Sequence, residues 1–333
     1  MADDKVVDKN VEMLETTEVA DICGTVESCN SIAEAVDPLE FVAPIDDPES
    51  SVAEINANDG TPVIDEGIGK RCVTSDKDGV LIIGGTDTEG KGFVLKKYAD
   101  ETCPLLTIND MVAVDAVFVD YSLATDEYPY ILFVAGRRSD GNVIIVKCSN
   151  ELDIIDSIVF SDQEGPVTTM TNWNGTILIA VILGTEDGIN IPAFIEMSPD
   201  MECLRRVMVT PETPENFKTE GTFATGVIVG FVPLADRIVM AGYMSNNDGA
   251  GFGFVSTIDN DLNTIRSLTV VDPTIASTTI RAISMNDDGT FTIILICNDP
   301  SFEQPYHLVN KLDTNLAVIT DDNAVDSATD TVQ

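Results

Sequence analysis

The sequence predicts an all-β protein: a five-bladed β-propeller of four-stranded blades, preceded by an extended acidic N-terminal arm. Three observations predict it. The apolar residues are led by Val and Ile, and aromatics make up only 6% of the chain; such β-branched side chains suit pleated, half-buried surfaces better than helices. Between the two acidic ends, short apolar runs are separated by Gly, Asp and Asn clusters with no stretch at helical spacing, while the N-terminal arm has room for a short helix at Asn10–Ala20 or Ser31–Val36. The runs also recur in the same order five times, at a period of about 50 residues.

The repeat is clearest in a strand ending on a small residue: Val80–Gly85, Ile131–Gly136, Leu178–Gly184, Ile238–Gly242 and Phe291–Cys297. The anchors are Gly85, Gly136, Gly184, Gly242 and Cys297. A Gly-bearing loop follows in four copies, at Thr86–Gly90, Ser139–Gly141, Glu186–Gly188 and Asn246–Gly249. Asp-Gly and Asn-Gly pairs favour hairpin turns because both residues tolerate positive φ. The fifth copy departs, with Asn298–Pro305 in that place.

A third strand comes next: Phe93–Lys96, Val143–Lys147, Ala193–Met197, Phe252–Ser256 and His307–Lys311. A four-residue turn then leads to the last strand, at Ala99–Thr102, Ser149–Leu152, Ser198–Met201, Asp259–Leu262 and Asp313–Leu316. Four of these turns end on Leu or Met, which can plug the space between neighbouring sheets. A first strand precedes each later copy, as at Val112–Val119, Val167–Thr171, Val227–Val232 and Ile280–Met285. A lone four-stranded meander cannot cover two apolar faces, whereas blades around an axis bury both and leave short edges. A pair of β-sandwiches is the alternative all-β arrangement, but it would not need the same turn five times.

The domain boundaries follow. Residues 1–66 form the acidic arm, carrying two lysines and broken by Pro38, Pro44, Pro48 and Pro62. Residues 67–320 form the propeller, with blades at about 67–109, 110–161, 165–210, 224–271 and 277–320. Residues 321–333 form an acidic tail.

Two stretches carry a family resemblance. Asp78–Gly85, reading DGVLIIGG, and Gly92–Asp100, reading GFVLKKYAD, resemble the delta-60 or kelch-like propeller repeats. Those repeats have a strand ending in Gly-Gly, a strand with an aromatic or basic residue, and an Asp/Asn turn. The resemblance spans residues 70–320 and is best in the first copy. It implies the fold and no activity, and the paired Tyr and Trp positions of kelch repeats are absent.

Charge bounds the partners. With 57 acidic and 18 basic residues, the formal net charge is −39. Such a field repels nucleic acid and anionic membrane surfaces, so neither nucleic-acid binding nor membrane insertion is expected. No apolar run approaches the ~20 residues that span a bilayer. The N-terminal stretch has no continuous apolar core, so no secretory leader is expected and the chain should be made in a cytoplasm.

Candidate chemistry is sparse. Asp115 and Asp120, flanking a first strand, are the conceivable channel carboxylates of a propeller glycosidase. His307 is the single histidine, which excludes His-based triads and poly-His metal sites. Asn174-Gly175-Thr176 matches a glycosylation acceptor but reads as a turn. No catalytic, cofactor-binding or metal-ligating set emerges, and no cofactor is expected. Seven cysteines are scattered without a CxxC and read as small buried hydrophobes in a reducing compartment. The exceptions are Cys23 and Cys29, which lie in the arm and are candidates for an inter-subunit disulfide.

An acidic, proline-punctuated arm should not order itself. The resulting expectation is a non-enzymatic structural subunit of a large assembly, a phage or virus virion component in the head, neck or tail. Its partners would be other protein subunits, met through residues 1–66 and the propeller loops. The alternative expectation is a carbohydrate-binding or carbohydrate-cleaving five-bladed propeller, with aromatics and carboxylates gathered at one channel mouth.

Overall fold

The computed structural model describes residues 23–28, 33–35, 69–87, 89–97, 105–160, 165–184, 189–209, 211, 223–246, 250–270, 277–298 and 305–319. Among them there are strands and turns and no helix. The predicted loop Glu186–Gly188, the turn Ala99–Thr102 and the tail 321–333 lie outside the described residues. So does the arm, apart from two short strands.

From residue 69 onward the described strands form five successive antiparallel meanders. The first runs β3 (Gly69–Ser75), β4 (Leu81–Thr86), β5 (Gly92–Lys97) and β6 (Leu105–Ile108). The second runs β7 (Ala113–Asp120), β8 (Ile131–Arg137), β9 (Val143–Cys148) and β10 (Ile154–Phe160). The third runs β11 (Val167–Trp173), β12 (Thr176–Gly184), β13 (Asn190–Met197) and β14 (Cys203–Val209). The fourth runs β15 (Phe223–Pro233), β16 (Arg237–Asn246), β17 (Gly251–Asp259) and β18 (Thr264–Val270). The fifth runs β19 (Ser277–Met285), β20 (Phe291–Asn298) and β21 (Tyr306–Leu312), ending in a bridge from Leu312 to Val318.

The first strand of each meander stands beside that of the next, β3 by β7, β7 by β11, β11 by β15 and β15 by β19. Each of these strands carries a β-bulge at the same repeat position, and β15 has a second register shift near its start. The bulged residues are Arg71, Asp115, Thr168, Val229 and Arg281. The extra residue bends the strand and sharpens its twist, as successive sheets around an axis require. In the second and fourth sheets a glycine opposite the bulge lets the backbones close. A Cβ on Gly136 would stand 2.0 Å from the Ala113 carbonyl oxygen, and one on Gly242 would stand 2.2 Å from that of Val227. By register the residues matching Gly85, Gly136 and Gly242 are Val181 and Leu295. The sequence anchors Gly184 and Cys297 sit beyond them toward the strand ends.

Consecutive sheets are held together by four apolar clusters. Ile82, Val94, Leu132 and Val146 lie between the first and second, and Phe133, Ile145, Ile179 and Ile195 between the second and third. Phe194, Leu178, Met240 and Phe254 join the third to the fourth. Val239, Val255, Ile293 and Leu295 join the fourth to the fifth. The near-continuous apolar run Ile131–Gly136 is buried along its whole length, because it faces a neighbouring sheet on both sides. This arrangement is a β-propeller.

The outer turn has an unusual economy. Leu152, Met201, Leu262 and Leu316 close it with φ of 70, 64, 67 and 63°, a left-handed conformation that costs an ordinary side chain roughly 1–2 kcal/mol. The equivalent position in the exposed turns is Gly79, Gly90, Gly141 or Gly289. The four apolar residues accept the strain because each is buried in the cluster between its own sheet and the preceding one. Full burial of such a side chain contributes about 1.5–3 kcal/mol. The sequence reading of these residues as plugs is borne out. Their turns open on a residue whose side chain accepts backbone N–H groups: Ser149 from Glu151 and Asp153 at 3.1 Å each, and Asp259 from Asp261 and Asn263 at 2.9 and 2.8 Å.

Leu262→Ala should therefore lose burial while keeping the strained φ, whereas Leu262→Gly loses burial and relieves the strain. Urea unfolding is expected to show both variants destabilised, the alanine one by about 2–4 kcal/mol, with glycine no worse than alanine. A glycine variant clearly less stable than the alanine one would contradict this account.

Candidate functional site

At one end of the inner strands the same repeat position holds Asp76, Asp120, Trp173, Leu234 and Asn286, an aspartate in the first two copies only. Four of the copies cross to the next strand by a tight turn. The second does not. Between β7 and β8 it inserts residues 121–130, YSLATDEYPY, which hold three of the six tyrosines of the chain.

Asp120 anchors this loop. Its Oδ1 accepts hydrogen bonds from the Ser122 backbone N–H at 2.8 Å and the Ser122 hydroxyl at 2.7 Å. Its Oδ2 accepts one from Asn172 Nδ2 on β11 at 2.9 Å, and the same amide donates to Ser122 Oγ at 3.1 Å. The carboxylate is 2% exposed, and these donors replace the water it has lost. The network ties the second sheet to the third. Further along, the Thr125 N–H donates to the Tyr128 carbonyl at 2.7 Å and the Tyr128 N–H to Thr125 Oγ1 at 3.0 Å, folding the loop back on itself. The Glu127 carboxylate accepts a hydrogen bond from the Tyr128 phenol and holds its pKa above the ordinary range.

Two tyrosines bridge toward the first sheet. Tyr121 is 39% exposed, and its hydroxyl oxygen accepts the Lys77 backbone N–H at 2.5 Å. Its ring meets Tyr130 edge-on, with centroids 5.6 Å apart and planes at 66°, a favoured aromatic geometry. Tyr130 is buried and its hydroxyl lies 3.4 Å from Asp76 Oδ2. Lys96 Nζ stands 5.5 Å from the Tyr130 ring centroid and donates to the Asn150 carbonyl at 2.6 Å. Lys77 Nζ stands 5.9 Å from the Tyr121 ring. The result is an exposed aromatic face beside a fixed set of oxygen acceptors and amide donors.

The structure separates the two carboxylates singled out from sequence. Asp115 is the bulged residue near the other end of β7, about 15 Å from Asp120 along the strand at the usual rise. There it pairs with Arg137 at 3.0 Å, its side chain 4% exposed. Paired glycosidase carboxylates stand about 5–9.5 Å apart, so Asp115 and Asp120 are not such a pair. His307 is exposed on β21, opposite Ile296. Asn174 and Gly175 both have positive φ, 53 and 82°, so this sequon is a hairpin turn. Among the described residues no three His, Cys, Asp or Glu side chains gather closely enough to hold a metal. Cys23 opens strand β1 (Cys23–Ser28), and Cys29 lies outside the described residues. Tyr121, Tyr130, Ser122 and Asn172 went unrecognised in the sequence, although the tyrosine-rich break in the repeat was there to be read.

No family model matches the chain, and no curated protein does. Solved structures do. A thermostable family-43 glycoside hydrolase is 15% identical with a TM-score of 0.40, over 74% of this chain and 89% of that one. The first two extracellular domains of Drosophila Semaphorin 1a are 10% identical at 0.42, over 78% and 68%. A subtype N11 neuraminidase-like protein from a flat-faced bat influenza A virus is 12% identical at 0.37, over 84% and 83%. At these values the likeness is one of general architecture and assigns no activity.

Two sequence expectations are nevertheless corrected. Several of the similar structures are glycoside hydrolases, against the expectation of a non-enzymatic virion component. The physical premise of that expectation also fails in part. Strand β1 pairs with β14, and strand β2 (Ala33–Ala35) pairs with β10. These stretches of the arm lie on the chain's own sheets.

The network around Asp120 makes a testable demand on stability. Asp120→Asn sets an amide donor against the Asn172 amide and should cost about 1–3 kcal/mol, the range for a buried polar group left without its partner. Adding Asn172→Asp restores a donor–acceptor pair, so a double-mutant cycle in urea should recover much of the loss. Additive losses would show that the two side chains are not coupled.

Proposed function

We propose that this protein is a carbohydrate-binding or carbohydrate-cleaving propeller, whose five meanders are the blades of a five-bladed ring with the acidic arm extended along its outer strands. The observation that carries the reading is the Tyr121–Tyr130 pair beside the Asp120–Ser122–Asn172 network, at the end of the inner strands of the first three sheets. Sugars present an apolar C–H face and a rim of hydroxyls. An exposed tyrosine offers a rigid apolar surface with a polar tip, and pre-set carboxylate and amide groups fix orientation by hydrogen bonding. A formal net charge of −39 selects against polyanionic glycans, so neutral oligosaccharides are the expected ligands.

Cleavage would need a second carboxylate near the bound sugar. Asp76 is the candidate: it holds the same repeat position in the first sheet as Asp120 in the second, and its Oδ2 faces the Tyr130 hydroxyl. Its Oδ1 accepts the Asp78 and Val80 N–H groups at 2.9 Å each, which fixes the carboxylate in place.

A glycan array spanning neutral and acidic oligosaccharides, followed by calorimetry on the hits, tests the reading. Tyr121→Ala is expected to weaken binding about tenfold, as loss of an aromatic contact of roughly 1–1.5 kcal/mol would, measured at a temperature where its unfolding curve shows the variant folded. Reducing-end release from any bound oligosaccharide, compared with Asp76→Asn, separates cleavage from binding. An array with no binder and no hydrolysis would overturn the proposal.

A further inference from the structure

Some polar groups at the candidate site are engaged by the fold and others are not. Asp120 is 2% exposed, with Oδ1 taken by Ser122 and Oδ2 by Asn172. Ser122 Oγ donates to that carboxylate and accepts from Asn172. The Asn172 amide nitrogen thus serves two partners, while its Oδ1 accepts no hydrogen bond among the described residues. The Tyr121 hydroxyl oxygen accepts the Lys77 backbone N–H, which leaves the phenolic proton to be donated. Lys77 is exposed, and among the described residues its ammonium makes no ion pair or hydrogen bond. Nζ stands 5.9 Å from the Tyr121 ring centroid, within reach of a cation–π attraction.

The groups left over are unevenly distributed. Two donors, the Lys77 ammonium and the Tyr121 O–H, stand at one aromatic ring on the side of the first sheet. One acceptor, Asn172 Oδ1, belongs to β11 of the third. A sugar hydroxyl brings its own proton and can answer either kind, so it gives no preference. Two donors at one ring are better matched by an oxygen with two lone pairs and no proton, a carbonyl. Carboxylate oxygens share that property, but the field of a chain with a formal charge of −39 opposes an anion.

We propose that Lys77 is a specificity-determining residue and that it selects sugars bearing an N-acetyl group. The inference rests on the carbohydrate reading above and narrows its ligand class. An acetamido group supplies in one unit what the unengaged groups call for. Its carbonyl oxygen suits the two donors, its N–H suits an amide acceptor such as Asn172 Oδ1, and its methyl suits an exposed tyrosine ring. Lys77 is held where the selection is made. The same tyrosine binds its backbone N–H, and Asp76 Oδ1 pins the turn by accepting the Asp78 and Val80 N–H groups at 2.9 Å each.

Two β-1,4-linked tetramers, one of N-acetylglucosamine and one of glucose, test the selection, because they share length and linkage and differ in the acetamido group. Calorimetry on the full chain should show the N-acetylglucosamine tetramer bound about tenfold more tightly, the effect of one charge-assisted hydrogen bond. Lys77→Met keeps the aliphatic stem and the backbone N–H to Tyr121 but removes the charge. It should bring the two affinities to within about twofold, by weakening the N-acetylglucosamine tetramer, at a temperature where its unfolding curve shows it folded. Lys77→Arg retains a charged donor and should keep most of the preference. Equal binding of the two tetramers by the unmodified chain, or a preference that survives in Lys77→Met, would overturn the proposal. Tighter binding of a glucuronic-acid oligosaccharide than of either tetramer would overturn it too, in favour of a carboxylate at Lys77. A glycan array whose binders all lack an acetamido group defeats the selection and leaves the carbohydrate reading standing, whereas an array with no binder defeats both.

Discussion

The three middle sheets of this protein are apolar on both faces, and that constraint governs the rest of the structure. A strand such as Ile131–Arg137 has no face that could be given to water, so a meander is stable only when flanked on both sides. The four inter-sheet clusters meet this demand for the second, third and fourth sheets, and the outer turn is shaped to serve it. Leu152, Met201, Leu262 and Leu316 accept a left-handed backbone because that geometry drives an apolar side chain into the gap between sheets. Where the same turn faces solvent, glycine suffices. Burial between sheets thus decides the residue at the strained position, while the Asx or Ser opening of the turn keeps its hydrogen bonds constant.

The same neighbour-to-neighbour logic governs the polar ties, including where the sequence drifts. Lys96 reaches the Asn150 carbonyl of the next sheet at 2.6 Å, and Lys147 reaches that of Pro199 at 2.8 Å. In the third sheet the repeat position is Glu196, which cannot donate. It holds Arg205 instead, and Arg205 Nη2 donates to the equivalent Asn260 carbonyl at 3.3 Å. In the fifth sheet Lys311 turns to Asp288 of its own sheet at 2.7 Å. There its ammonium, with Thr290, holds the Asp288 carboxyl well below the usual range.

The propeller was legible in the sequence because its determinants are local and repeated: β-branched runs, Asp-Gly turns, and the Leu or Met that closes the outer turn. The bulges were not, since they are a property of register between strands. This is why Gly184 and Cys297 served as anchors although Val181 and Leu295 occupy the matching places. The arm was misjudged for a related reason. Composition reported its charge truly, but the pairing of Cys23–Ser28 with β14 and Ala33–Ala35 with β10 depends on exposed sheet edges, which composition does not describe. Those edges are what an extended segment covers by adding a strand. The edge of β14 also carries Arg205 and Arg206, two of the 18 basic residues in the chain.

Of the candidate site only Asp120 was legible in the sequence, because carboxylates are everywhere in this chain and single out no place on their own. The informative signal is departure from the repeat. Tight turns at the inner-strand ends of four sheets set a pattern that the second sheet breaks with a tyrosine-rich loop, and the departure extends to its neighbours. Asp76 on one side faces Tyr130, and Asn172 on the other donates to Asp120. At the same level the third sheet has the buried Trp173, whose Nε1 donates to the Leu234 carbonyl at 3.3 Å and closes the space toward the fourth. The end of the propeller is thus asymmetric, with polar and aromatic groups over the first three sheets and plain turns over the last two. The ligand proposed for these groups would sit over the first three sheets, to one side of the axis. Its orientation is set by the inserted loop and not by the repeat that supports it.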